Sequence, residues 1–144
     1  MQLEIEEKLR RVRDMLREHS LDAVYLKRQS NFSWITAGGS NQIGITTEMG
    51  TAGLLVTRDR GYTICNNVEA PRMEAEEHLP DKGFEIRSFP WHTDREAQLV
   101  AELAGGSRFA ADFALPGAVP MVEEIASLRY ALTPWEVERY RWLG

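Results

Sequence analysis

The chain of 144 residues is poor in cysteine, in basic excess, in long apolar runs and in recognisable catalytic motifs. Cys65 is the only cysteine, so an internal disulfide is excluded. It lies within Tyr62-Thr63-Ile64-Cys65, where a thiol reads as a small buried apolar side chain in a strand. Seventeen Lys and Arg against 22 Asp and Glu leave a net charge of −5. That balance argues against a nucleic-acid grip, which needs a basic stripe to displace counterions from phosphates. No apolar run approaches the roughly 20 residues of a membrane helix. The start, Met1-Gln2-Leu3-Glu4-Ile5-Glu6-Glu7-Lys8, is acidic and amphipathic, unlike a secretory signal. A cytoplasmic chain without membrane partners is expected.

Chemistry-bearing motifs are equally scarce. His19, His78 and His92 are scattered, and neither H-E-x-x-H nor C-x-x-C occurs. His92-Thr93-Asp94 reads as a helix cap beside a solvated histidine. No G-x-S-x-G elbow exposes a serine. Gly38-Gly39-Ser40 could offer backbone N–H groups to an anion, but it lacks the glycine spacing and the lysine of a phosphate loop. Asp112 stands in an apolar strand and should accept hydrogen bonds at the strand end, because a buried unpaired carboxylate is costly. The glutamates at 69, 74, 76 and 77 read as a solvated helix face. No self-contained catalytic set is visible and no metal ligands are assigned.

What is present is the pattern of one α/β domain, and 144 residues suffice for a substantial core. Ile5, Leu9, Val12 and Leu16 form a stripe of 3.6-residue period, predicting an amphipathic helix over 3–19. Asp22-Ala23-Val24-Tyr25-Leu26 predicts a strand covered on both faces. Ser30-Asn31 should cap a short helix containing Phe32, Trp34 and Ile35. The span 36–53, with four glycines, reads as a long loop or frayed strand. The runs 53–57 and 62–66 flank Arg58-Asp59-Arg60-Gly61, a hairpin signal.

Further along, 68–79 predicts a helix that tolerates Pro71 only in its first turn. Residues 84–89 alternate as a half-exposed strand. Asp94 should cap a helix striped by Ala97, Val100, Leu103 and Ala104 and stopped by Gly105-Gly106. Residues 108–113 form a fifth strand, and Val122, Ile125, Ala126 and Leu128 indicate another short helix. Strands alternating with helices, plus one hairpin, give a three-layer α/β domain with a mixed sheet.

Thr133-Pro134-Trp135-Glu136 is a capping box with proline at the first helical position. The ten residues that follow carry Trp135, Val137, Tyr140, Trp142 and Leu143. Two readings stand: a helix docking back on its own domain, or a linker helix into a further domain, the second being favoured. The chain accordingly divides into a domain of residues 1–132 and a linker start at 133–144.

The order of these parts resembles the N-terminal domain of the creatinase/prolidase/aminopeptidase P family. The N-terminal helix, Leu21-Asp22-Ala23-Val24-Tyr25-Leu26, Asn31-Phe32-Ser33-Trp34-Ile35-Thr36, the 54–67 hairpin and the 133–141 ending carry the likeness. The resemblance implies a ribonuclease-H-like sheet, followed in the longer protein by a catalytic domain that cleaves Xaa–Pro bonds with two divalent metals (Mn, Co or Zn). Those ligands would all lie beyond residue 144. It also implies dimerisation and a loop, 36–47 here, that walls the neighbouring active site, with Trp34, Asn41 and Gln42 as substrate-lip residues. Two departures are local: Ala37 stands where the family places Gly, and Leu132 precedes the helix cap where Lys is common.

Partners implied are the chain's own C-terminal catalytic domain, a second copy, and short proline-containing peptides. The rival readings are a peptide- or protein-binding scaffold of the same fold without peptidase activity, and a stand-alone enzyme with a phosphate site at 38–44.

Overall fold

The computed structural model describes residues 1–42, 44, 46–105 and 108–144. Helix α1 (Gln2–Glu18) leads into strand β1 (Ala23–Arg28) and the short α2 (Gln29–Ile35). Strands β2 (Met49–Thr57) and β3 (Gly61–Asn66) make the expected hairpin, with Val56 opposite Gly61 and Gly53 opposite Ile64. Then come α3 (Ala70–Ala75), β4 (Glu85–Phe89), α4 (Glu96–Leu103), β5 (Phe109–Ala111), β6 (Val119–Pro120), α5 (Val122–Ser127) and α6 (Pro134–Leu143).

The strands form one sheet in the order β4-β3-β2-β1-β5-β6. β2 pairs antiparallel with both its neighbours, while β3–β4, β1–β5 and β5–β6 are parallel. The sheet is therefore mixed, as expected, with β2 running against the other strands.

Alternation along the central strands sorts side chains onto two faces, as a period of two requires. Val24, Leu26, Leu54 and Val56 join Val12 and Leu16 of α1, Phe32 and Ile35 of α2, Met73 of α3 and Ile125 of α5 in one core. Ala23, Tyr25, Leu55 and Ile64 join Val100 of α4 and Ala104 at its end in the other. Helices on both faces complete three layers. Cys65 is buried in the first core, and desolvation pushes its thiol up to about 11.

Local corrections follow from where side chains find partners. Asn31 does not cap α2: Arg28 holds the cap position, and the Asn31 amide is drawn instead to Asp112. Asp94 does not cap α4 either, since the cap position falls at Arg95 without a side-chain bond. The span 36–53, read as a long loop or frayed strand, becomes regular strand from Met49, where pairing with Arg28 of β1 takes over. The helix expected over 68–79 shortens to α3, with Pro71 in its first turn. Gly105 has a left-handed φ of 77°, suited to ending a helix, while Gly106 lies outside the described residues. The capping box at Thr133 is present in both directions: Glu136 N donates to Thr133 Oγ1 at 3.2 Å and Thr133 N to Glu136 Oε2 at 2.8 Å.

Candidate functional site

Because β2 is antiparallel, its start lies at the same sheet edge as the carboxyl ends of β1 and β3. The segments after β1, β3, β4 and β5 thus emerge together with the loop that precedes β2. Open α/β sheets carry their clefts at this edge. Asp112 organises it. Its side chain is wholly buried and accepts hydrogen bonds from Lys27 N (3.0 Å to each oxygen), Arg28 N (2.9 Å) and Asn31 Nδ2 (2.9 Å). Arg28 Nε in turn donates to the Asp112 carbonyl at 2.6 Å, and its guanidinium pairs with Glu48. A strand-end carboxylate thereby ties β5 to the end of β1 and aims the start of α2.

The loop that follows α2 is held by its own backbone. Ala37 N donates to Trp34 O and Gly38 N to Ser33 O, with Ala37 at a φ of 57°, the left-handed region that L side chains avoid. Gly39 N is bound by Thr36 Oγ1 at 2.9 Å and Ser40 N by Glu77 Oε2 at 3.1 Å. The N–H groups of 38–40 are therefore spent, and a carboxylate already occupies the cradle. A phosphate site built on those N–H groups is excluded.

The three lip candidates sit in different environments. Asn41 is 1% exposed, and its Nδ2 donates to Lys27 O (3.0 Å) and Ala52 O (2.7 Å). It staples β1 to β2 where their register shifts between Leu26 and Arg28. Gly50 makes room for it, since a Cβ there would stand 2.0 Å from the Asn41 side chain. Gln42 is exposed. Trp34 is 8% exposed and borders an open cleft of about 430 Å³, with Lys8, Ser33, Arg129, Leu132 and Tyr140. Trp34 belongs to α2 and Asn41 to the loop after it; Gln42 is the exposed one of the three, with its Nε2 donating to Gly44 O at 3.4 Å.

Two features escaped the sequence. Glu4 and Lys8 of α1 are each 1% exposed, although their residue types belong on a solvated face. Lys8 Nζ meets Glu4 Oε1 at 2.9 Å, Glu136 Oε1 at 3.1 Å and the Trp34 carbonyl at 2.7 Å, and lies 5.4 Å from the Trp34 ring centroid. Arg139 grips Glu4 with both terminal nitrogens, at 2.9 and 2.6 Å. Its hydrogen bonds, with Lys8 adding to them, hold the Glu4 carboxyl down to about 2. An i,i+4 Glu–Lys pair was the available signal. The other feature is Trp91, 66% exposed on the turn after β4, with its backbone N–H donating to Asn67 Oδ1 and its ring edge-on to His92.

Among the described residues no group of three His, Cys, Asp or Glu is placed to hold a metal ion, and no helix is long and apolar enough to cross a membrane. Fold and rim together define a mixed-sheet α/β domain whose carboxyl edge is built of loops pinned by buried polar groups. The Creatinase/Prolidase N-terminal domain family matches residues 8–127, and the chain belongs to it. No curated protein matches.

Among solved structures, a dipeptidase PepE from Mycobacterium ulcerans aligns with TM-score 0.71 at 15% identity, over 95% of this chain and 39% of that one. An Xaa-Pro dipeptidase from Bacillus anthracis aligns at 0.63 and 18%, over 93% and 38% respectively. A structure described as an Xaa-Pro aminopeptidase from Streptococcus pyogenes aligns at 0.58 and 18%, over 87% and 99%. At such identities the likeness is one of fold. The chain spans about two-fifths of the length of the first two structures.

Proposed function

We propose that this chain serves as the non-catalytic N-terminal domain of an Xaa-Pro metallopeptidase, pairing with a second copy and narrowing a cleft that admits short proline-containing peptides. The observation that carries the proposal is the family match over residues 8–127, five-sixths of the chain. The longer dipeptidases of the same fold support it. Residues 1–132 are the domain and 133–144 begin the linker. In support, α6 buries none of its residues, so it is suited to lead away from the core rather than to complete it.

The loop 36–47, of which residues 43 and 45 lie outside the described residues, would form the lip. Trp34 shapes its floor, Asn41 anchors its backbone to the sheet, and the exposed Gln42 faces peptide. The catalytic domain would supply the metal pair, whose chemistry is to lower the pKa of a bound water and stabilise the developing oxyanion.

The test has two parts. Residues 1–144, incubated with Xaa–Pro dipeptides and Mn²⁺ or Co²⁺, should show no hydrolysis. The reading frame beyond codon 144 should encode ligands in the order Asp, Asp, His, Glu, Glu. Turnover by the chain alone would refute the proposal. A frame that lacks those ligands would favour the scaffold of the same fold without peptidase activity.

A further inference from the structure

Helix α6 has ten residues and no buried one, whereas isolated helices shorter than about 12–15 residues are marginal in water. Tyr140, Trp142 and Leu143 are all exposed and Trp135 and Val137 only half-buried, so no apolar side chain of α6 is fully buried. Its specific ties are the capping box and the charge quartet Glu4, Lys8, Glu136 and Arg139. Two cations face two carboxylates, so the quartet is neutral.

Its geometry is that of a junction. The two oxygens of Glu136 are divided, Oε2 accepting from Thr133 N and Oε1 facing Lys8. Arg139 reaches Lys8 through Glu4. The remaining bond of Lys8 goes to the Trp34 carbonyl, one turn before the loop with Ala37 in its left-handed conformation. Among the described hydrogen bonds and ion pairs, α6 reaches Trp34 through Lys8.

We propose that Lys8 is a positioning residue for Trp34, locking the direction of α6 to the end of α2 so that a displacement of α6 is transmitted to the loop at 36–42. The coupling would make the peptide lip respond to the orientation of whatever follows α6. That consequence rests on the function proposed above; the coupling itself does not.

The experiment uses the ¹⁵N-labelled chain, its four indole N–H signals resolved and that of Trp34 assigned by Trp34→Phe. Glu136→Gln keeps the reciprocal cap, because Gln also serves at that position, but removes the charge facing Lys8. Arg139→Ala alters a mostly exposed side chain. Both should displace the Trp34 indole signal and speed amide exchange in α6 by about tenfold or more, while the sheet stays protected.

In a Lys8→Met background, adding Arg139→Ala should leave the Trp34 signal where Lys8→Met alone puts it. Lys8→Arg, which retains the charge, should protect α6 better than Lys8→Met. An unmoved Trp34 signal in Glu136→Gln and Arg139→Ala overturns the proposal, and so does an equal displacement with and without Lys8. Should Lys8→Met fail to fold, the first two variants decide alone. Failure here leaves the peptidase-domain proposal standing, and hydrolysis by the isolated chain would remove that proposal without touching the coupling.

Discussion

Replacing Asp112 by Ala should be among the most damaging single changes in this domain. The carboxylate is fully buried and accepts from Lys27 N, Arg28 N and Asn31 Nδ2 at 2.9–3.0 Å. Hydrogen bonds to a charged group contribute about 1.5–3 kcal/mol each, and donors left buried without partners cost about 1–3 kcal/mol each. Repacking recovers some of this, so a net loss of about 3–5 kcal/mol is expected, out of the 5–15 kcal/mol typical of whole domains. At roughly 2–4 °C per kcal/mol the melting temperature should fall by about 6–20 °C.

Asp112→Asn preserves the shape but turns one acceptor into a donor facing the backbone N–H groups, and should recover less than half of the loss. Urea unfolding followed by circular dichroism measures both variants, and the slope should stay unchanged if only the native state is affected. A loss below about 1 kcal/mol for Asp112→Ala, or an Asn variant as stable as the parent, would refute the role assigned to this carboxylate.

Ala37→Gly should stabilise the chain by roughly 0.5–1 kcal/mol, because relief of the left-handed penalty exceeds the entropy glycine adds to the unfolded state; a lower urea midpoint would contradict this. Gly53→Ala should cost roughly 2–4 kcal/mol, since its Cβ would stand 2.3 Å from the Tyr25 ring, whose hydroxyl donates to Glu96 at 2.7 Å. Thermal unfolding within about 1 kcal/mol of the parent would show that the ring can move aside.

Acid should act through Glu4, whose folded value of about 2 lies below its ordinary 4.5. A depressed carboxyl contributes stability that is complete above about pH 4.5 and is lost as the pH falls through about 2. Protection of α6 should follow that course. Glu4→Gln should lower it at neutral pH and converge with the parent in strong acid; parallel curves at every pH would contradict the assignment.

The elements that were legible in the sequence are those written in local spacing. The stripe Ile5, Leu9, Val12 and Leu16, the hairpin around Arg58–Gly61 and the capping box at Thr133 depend on residues a few positions apart, and each formed. Asp112 could be assigned as an acceptor because a carboxylate in an apolar strand has few other outcomes. Asn31 misled, because a residue type suited to a cap says nothing of a stronger partner elsewhere, and Asp94 misled because α4 begins one residue later, with its cap position at Arg95.

The sequence by itself determined the layered α/β pattern and its hairpin, since apolar periodicity and turn chemistry act over short stretches of chain, and the order of its segments carried the resemblance to the family. Only the tertiary structure decided that Lys8 is interior, that Asn41 staples two strands, and that α6 is held by charges. Lys8 and Trp34 are 26 positions apart, and Glu4 and Arg139 are 135 apart. No local pattern encodes such encounters, and whether a charged side chain is solvated or buried depends on which distant partner the fold brings to it.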